Sequence, residues 1–195
     1  MPVYKEGDTS ISAWGDVEAF SFIEAEEGVC EIDFLGPKER YFVVEGEITV
    51  RANDETAHYA KGGFFDPPRG ARITINGNGK WKLCRVRGNW GEELGGSGIF
   101  GVTRSDVPQN PGFPANYPRN TSFDNHYHDC DEYWILFIGS GTAYSEGQPY
   151  DVSPGDCIAT RAGDYHDFPI CAEQVEAVFF ETTLKGQKRT GHLWT

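Results

Sequence analysis

No cysteine pair with C-x-x-C spacing occurs in the 195 residues, and the five cysteines, Cys30, Cys84, Cys130, Cys157 and Cys171, are odd in number. That argues against both a disulfide framework and a cysteine-only zinc cluster, and leaves reduced, partly buried thiols in a cytoplasmic protein as the expectation. Cys130 lies beside histidines and reads as a loop thiol. No apolar run approaches the length of a membrane span, and the N-terminal MPVYKEGDTSISAW lacks the charged-then-apolar profile of a secretory signal; a soluble chain is expected. Basic residues are scarce: 17 Lys and Arg stand against 30 Asp and Glu, a formal charge of -13, which sets nucleic acid and anionic membrane surfaces aside as partners. The apolar spacing of a long amphipathic helix is missing, as is a DNA-binding helix pair, so helices should be few and short.

What is present points to an all-β protein. Twenty-four Gly and 11 Pro, with 14% aromatic residues, suit short strands and tight turns, and 38% hydrophobic residues suffice for a core. EYWILFIGSGTAY reads as a buried strand running into a Gly-Ser-Gly hairpin, and INGNGK before KWKLCRVRG as an Asn-Gly hairpin. One offset of 93 relates Glu39 to Glu132, Gly46 to Gly139, Gly62 to Gly155 and Gly70 to Gly163, so the chain reads as two related β units. The boundaries that follow are a first unit at 1–92, a Gly/Pro-rich linker at 93–120 in which SGIFGVT could pair as an edge strand, and a second unit at 121–195.

HYHDCDE, residues 126–132, holds two of only five histidines. On a strand, alternate side chains share a face, so His126, His128 and Glu132 would point together, although Asp129 to Asp131 favour a loop. His166 follows after two turn signals, far enough along for the chain to return and add a third imidazole. Neutral imidazoles with one carboxylate suit a divalent transition metal, Fe, Mn, Ni, Co or Zn, and four protein ligands leave positions open for substrate. At the corresponding first-unit positions stand Asp33, Leu35 and Ile73, while Glu39 persists. His58 and His192 fall outside the repeat and read as solvent-facing.

These residues resemble the cupin superfamily. The first motif, G-x5-H-x-H-x3-E-x6-G, is matched by His126, His128, Glu132 and Gly139, with Asn120 in place of the leading Gly. The second, G-x5-P-x-G-x2-H-x3-N, is matched by Gly155, Gly163 and His166, with Arg161 for Pro and Ile170 for Asn. Glu39, Gly46, Gly62, Pro68 and Gly70 fit the same frames in the first unit. The resemblance implies two antiparallel jelly-roll β-barrels in tandem, a bicupin whose N-terminal copy has lost its metal. It also implies a small-molecule substrate and a metal-dependent activity, with oxidoreductase chemistry of the dioxygenase type first. The alternatives are an isomerase or lyase acting on a sugar or enolisable acid, and a non-catalytic ligand-binding or sensor module. Tyr144, by strand parity, Glu181, on the late strand, and Arg161, one hairpin before His166, are the candidate catalytic groups. Trp134 and Phe137 read as packing residues, and a homodimer is left open.

Overall fold

The computed structural model of the chain describes residues 2–8, 11 and 13–195. Sixteen strands follow in order. The first nine are β1 (Val3–Lys5), β2 (Val17–Ala25), β3 (Gly28–Ile32), β4 (Lys38–Glu45), β5 (Glu47–Ala52), β6 (Glu55–Ala60), β7 (Phe64–Phe65), β8 (Ile73–Gly77) and β9 (Trp81–Gly88). The rest are β10 (Ser97–Val102), β11 (Glu132–Ile138), β12 (Gly141–Ser145), β13 (Gln148–Val152), β14 (Asp156–Thr160), β15 (His166–Cys171) and β16 (Val175–Glu181). Among the described residues there is no helix, and none therefore long and apolar enough to cross a membrane.

The strands form four antiparallel sheets in two compact units. The N-terminal unit, Glu6–Trp90, contains the sheets β2-β9-β4-β7 and β3-β8-β5-β6. Between them lies a core that includes Tyr41, Val43, Ile48, Ile73, Ile75, Trp81 and Leu83, every one almost fully buried. The C-terminal unit, residues 91–195 joined by 2–5, contains β1-β14-β11-β16-β10 and β13-β12-β15 around Trp134, Leu136, Ala143, Ile158, Phe168, Val175 and Ala177. Shifted by the sequence offset, β4, β5, β6, β8 and β9 fall on β11, β12, β13, β15 and β16, and the strand orders of the two units agree. In each unit the described strands form two separate hydrogen-bonded sheets, and no closed ring of strands occurs among the described residues.

Two expectations about organisation change with the pairing, and one is met: SGIFGVT of the expected linker does pair, with Ser97–Val102 along β16 as the edge strand of its sheet. The expected first unit loses its N-terminal residues, because β1 covers the edge of β14, with Val3 opposite Ile158 and packed on the C-terminal core; an unpaired edge so close to a core gains from being covered. The two expected hairpins are instead corners between sheets: β11 and β12 lie in different sheets, as do β8 and β9. Gly139 makes the first corner at φ 73°, where a Cβ would stand 2.1 Å from the Gln174 carbonyl oxygen, and its repeat partner Gly46 turns β4 into β5 at φ 75°. Glycine is required at both for its left-handed backbone and its missing side chain.

Candidate metal centre

Residues 126–128 run beside the start of β15, where His126 and His166 form an isolated antiparallel bridge, each donating its backbone N–H to the other's carbonyl (3.1 and 2.8 Å). Directly opposed residues share a side of the sheet, so these two imidazoles face the same way, and strand alternation brings His128 with them. The strand breaks at 129–131 as expected. Asp129 accepts the Arg189 backbone N–H (3.0 Å), Asp131 accepts that of Ala162 (3.0 Å), and Asp131 also pairs with Lys185. Pairing resumes at Glu132, the first residue of β11.

The result is a buried cluster in which one ligand atom each from His126, His128, Glu132 and His166 lies within 4.8 Å of the others. The ring centroids of His126 and His166 are 4.4 Å apart, and those of His126 and His128 4.8 Å. All four side chains are 5% exposed or less.

The hydrogen bonds fix the chemistry of each ring. Nδ1 of His126 donates to the Asp124 carbonyl (2.9 Å), that of His128 to the Gly191 carbonyl (3.0 Å) and that of His166 to the Asp164 carbonyl (2.9 Å). A carbonyl only accepts, so Nδ1 carries the hydrogen, and in the neutral ring the lone pair is on Nε2. Glu132 Oε2 stands 2.7 Å from His166 Nε2 and 3.3 Å from His128 Nε2. Even so, these three buried atoms have no hydrogen-bond partner of acceptable geometry. Ligands held about 2.1 Å from an ion lie roughly 3 Å from one another, which is the spacing of these orphaned atoms. The residues therefore fit a transition metal, with outer-shell carbonyls already orienting the rings.

Electrostatics point the same way. Burial works against the Glu132 carboxylate, but His128 and then His166 outweigh it and hold Glu132 well below the usual carboxylate range. Burial likewise works to lower the His128 imidazolium, yet Glu132 and Glu181 overcome it and push it up to about 9. His126, where burial wins, is shifted down. The buried carboxylate demands positive charge at this position.

The three candidate catalytic groups separate. Glu181 is the cross-strand partner of Glu132, nearly buried, with Oε1 3.7 Å from His128 Nδ1. It stands against the ring edge that carries the hydrogen, not the edge that offers the lone pair, and burial followed by Glu132 shifts its carboxyl upward. Gly95 makes room for it: a Cβ there would meet Glu181 Oε2 at 2.3 Å and Cys130 Sγ at 2.9 Å. Tyr144 is not brought to the cluster. A bulge between Thr142 and Tyr144 shifts the register so that Ser145 opposes His166 and Tyr144 opposes Asp167, which places Tyr144 on the other face. Strand parity carries across two strands only where the pairing is regular. Arg161 is exposed and follows directly on the last residue of β14, Thr160, the cross-strand partner of Glu132, and is not one of the clustered groups.

Two single residues outside the ligand set also bear on the site. Cys130 is a free thiol in the loop before β11, as expected, and is fully buried, with its pKa shifted up by burial and then by Glu181. His192 is exposed as expected, yet its ring also stacks on His126 at 3.7 Å with planes 4° apart, and its Nδ1 donates to Asp124 Oδ2 (2.7 Å). No local pattern in the sequence signals His192, because the closing segment 186–195 reaches the site only through pairing such as the Tyr127–Leu193 bridge. In the N-terminal unit, Glu39 accepts the N–H groups of Leu35 (2.7 Å) and Gly36 (3.0 Å) and the Tyr41 hydroxyl, while Asp33 and Leu35 are exposed and Ile73 is core. The persisting glutamate there ties down a loop.

Comparison with known proteins agrees with this geometry. Residues 115–183 match the family model described as Cupin domain. The chain is 35% identical over 196 residues to y4oW of Sinorhizobium fredii, described as uncharacterized, and the match covers 100% of this chain and 90% of that protein. Among solved structures, PA5104 of Pseudomonas aeruginosa PAO1, a conserved protein of unknown function, is similar with a TM-score of 0.58 at 11% identity over 95% of both chains. YhaK of Escherichia coli is similar with a TM-score of 0.57 at 10% identity, over 94% of this chain and 93% of that one. At such identities the structural likeness speaks for the fold.

Proposed function

Since the chain belongs to the cupin superfamily, we propose that its C-terminal unit holds one divalent transition metal through His126, His128, Glu132 and His166. On this reading the unit is an enzyme acting on a small oxygen-rich metabolite, first as an oxidoreductase of the dioxygenase type. The observation that carries the reading is the convergence of buried, unpartnered Nε2 and Oε2 atoms on imidazoles whose Nδ1 atoms are all tied to backbone carbonyls. An ion of the Fe, Mn, Ni, Co or Zn group would polarise a carboxylate, enol or sugar oxygen and, if redox-active, support reaction with O2.

The chain's own residues supply the rest. The carbonyls of Asp124, Asp164 and Gly191 keep the three Nε2 lone pairs aimed inward, and Glu132 contributes the anionic charge that offsets a cation. Burial keeps bulk water from competing for the ligands. Asp124 orients His192 through Nδ1, which leaves His192 Nε2 as the atom able to hold or move a proton at the edge of the cluster. That pair favours the second reading, an isomerase or lyase in which a proton is shifted on a sugar or enolisable acid.

We also read the chain as a bicupin, with the N-terminal unit a tandem copy that has lost its ligands; the shared strand order and the paired glycine corners support this. A small molecule is the partner this reading needs, and the net charge of -13 is in keeping with it. The test is oxygen uptake by Fe(II)-loaded protein with a panel of small carboxylic, enolic and sugar substrates. Uptake that disappears in His128→Ala supports the oxidoreductase. Solvent-proton exchange into substrate without O2, lost in His192→Ala while metal is kept, supports the isomerase. Ligand binding with neither contradicts an enzyme and leaves a sensor.

A further inference from the structure

The strands that present His126 and His166 have a reverse face, and it forms a second cavity. Asn125 and Tyr165 alternate with those histidines, Tyr144 faces the same way by the register already described, and residues 113–117 fold over them. They line an open cleft of about 370 Å³, within the range of small-molecule sites. The walls are two ring pairs: Phe113 with Tyr165, centroids 4.5 Å apart, and Tyr117 stacked on Tyr144 at 3.9 Å.

The polar groups narrow the choice of ligand. The Tyr117 hydroxyl is committed to Asp167 (2.8 Å) and that of Tyr165 to the Trp194 carbonyl (3.1 Å), so neither hydroxyl is left over for a ligand, which would meet aromatic carbon here. Arg119 does not line the cavity; its guanidinium is paired with Asp167 and lies 5.9 Å from the centroid of the Tyr117 ring, so Tyr144, Phe113 and Tyr165 are the rings left to a second cation. Glu146 is the one charged side chain in the lining. It sits in the tight turn between β12 and β13 at φ 49°, next to Gly147 at φ 74°, a position that favours Asn or Gly over Glu. Its Oε1 accepts the Tyr165 backbone N–H (2.6 Å), which holds the carboxylate against the rings.

Ring faces carry a negative quadrupole, and beside one carboxylate they favour a positive, weakly hydrated group. We propose that this cavity binds a small organic cation of the methylated-ammonium class, on the opposite face of the sheet from the metal ligands and independently of the metal. Calorimetric titration of the whole protein with choline and with its uncharged isostere 3,3-dimethylbutan-1-ol tests it. Saturable binding of choline alone is expected. Glu146→Gln should weaken it by about tenfold or more, Tyr144→Ala should abolish it and Tyr144→Phe should keep it, with metal content unchanged in all three. Equal binding of the two probes, no saturable binding of choline, or choline affinity untouched in Glu146→Gln would each overturn the proposal. Metal content and choline binding are separate readouts, so failure of this site leaves the metal reading standing.

Discussion

Glu132 is where the residue-scale account is most exposed to test. Its Oε2 is buried with no hydrogen-bond partner among atoms that would otherwise crowd it at 2.7 and 3.3 Å. Replacing it by Gln removes the charge at nearly constant volume. We expect Glu132→Gln to lose tight metal binding, and with it the rise in Tm that metal confers on the native chain. Ligand binding to the folded state alone adds about 2.7 kcal/mol when the free ion is at 100 times its Kd, so chelation of the native protein should lower Tm by several degrees and leave the variant unmoved. The pH dependence has a definite sign. His128 in the metal-free chain is pushed up to about 9. The stability it gains from Glu132 is therefore fully present below the ordinary imidazole value near 6.5 and is lost as pH rises through about 9. Metal competes with that proton, so apparent metal affinity should fall on acidification below about 9, by up to about tenfold per pH unit for one displaced proton. Thermal melts of chelated protein and metal titrations across this range check both halves. At this scale the sequence was informative about ligands and poor about neighbours. Period-two spacing makes His126, His128 and Glu132 legible, and the turn signals that follow them point to His166. His192 and the Asp124, Asp164 and Gly191 carbonyls are brought in by backbone turns and by the closing segment, for which residue type carries no signal.

Elements show where local pattern and tertiary context part. Gly-Ser-Gly after EYWILFI is a turn, as expected, but a turn that closes a hairpin and one that carries the chain between two facing sheets have the same local composition. What decides is the partner: β11 pairs with β14 and β16 and β12 with β15, all at a distance in sequence, while the one local pairing, β12 with β13, forms across the next turn and not this one. The bulge between Thr142 and Tyr144 has the same origin and is the reason parity misplaced Tyr144. Gly139 is the residue that makes the corner, so Gly139→Ala should destabilise the protein by about 1–3 kcal/mol from the left-handed backbone alone, and by more if the clash with the Gln174 carbonyl is not relieved. Gly155→Ala, at φ 90° with open space around it, should incur only the backbone part. Urea denaturation of the two variants side by side separates the terms.

On the scale of the whole molecule, two units with one strand order carry two different sets of side chains at equivalent positions. Composition foretold the β class, and the offset of Glu39, Gly46, Gly62 and Gly70 against Glu132, Gly139, Gly155 and Gly163 foretold a chain of two β units. The exact division did not follow, because β1 and β10 join the C-terminal unit through edges that only the folded sheet exposes. The cluster of three histidines and a glutamate lies in the C-terminal unit, whereas in the N-terminal unit Glu39 is occupied by Leu35, Gly36 and Tyr41. The most direct check of that asymmetry is the metal-to-protein ratio of untagged protein, measured by plasma mass spectrometry for the native chain and for His128→Ala together. The account predicts one ion per native chain and close to none in the variant; full occupancy in His128→Ala would contradict it.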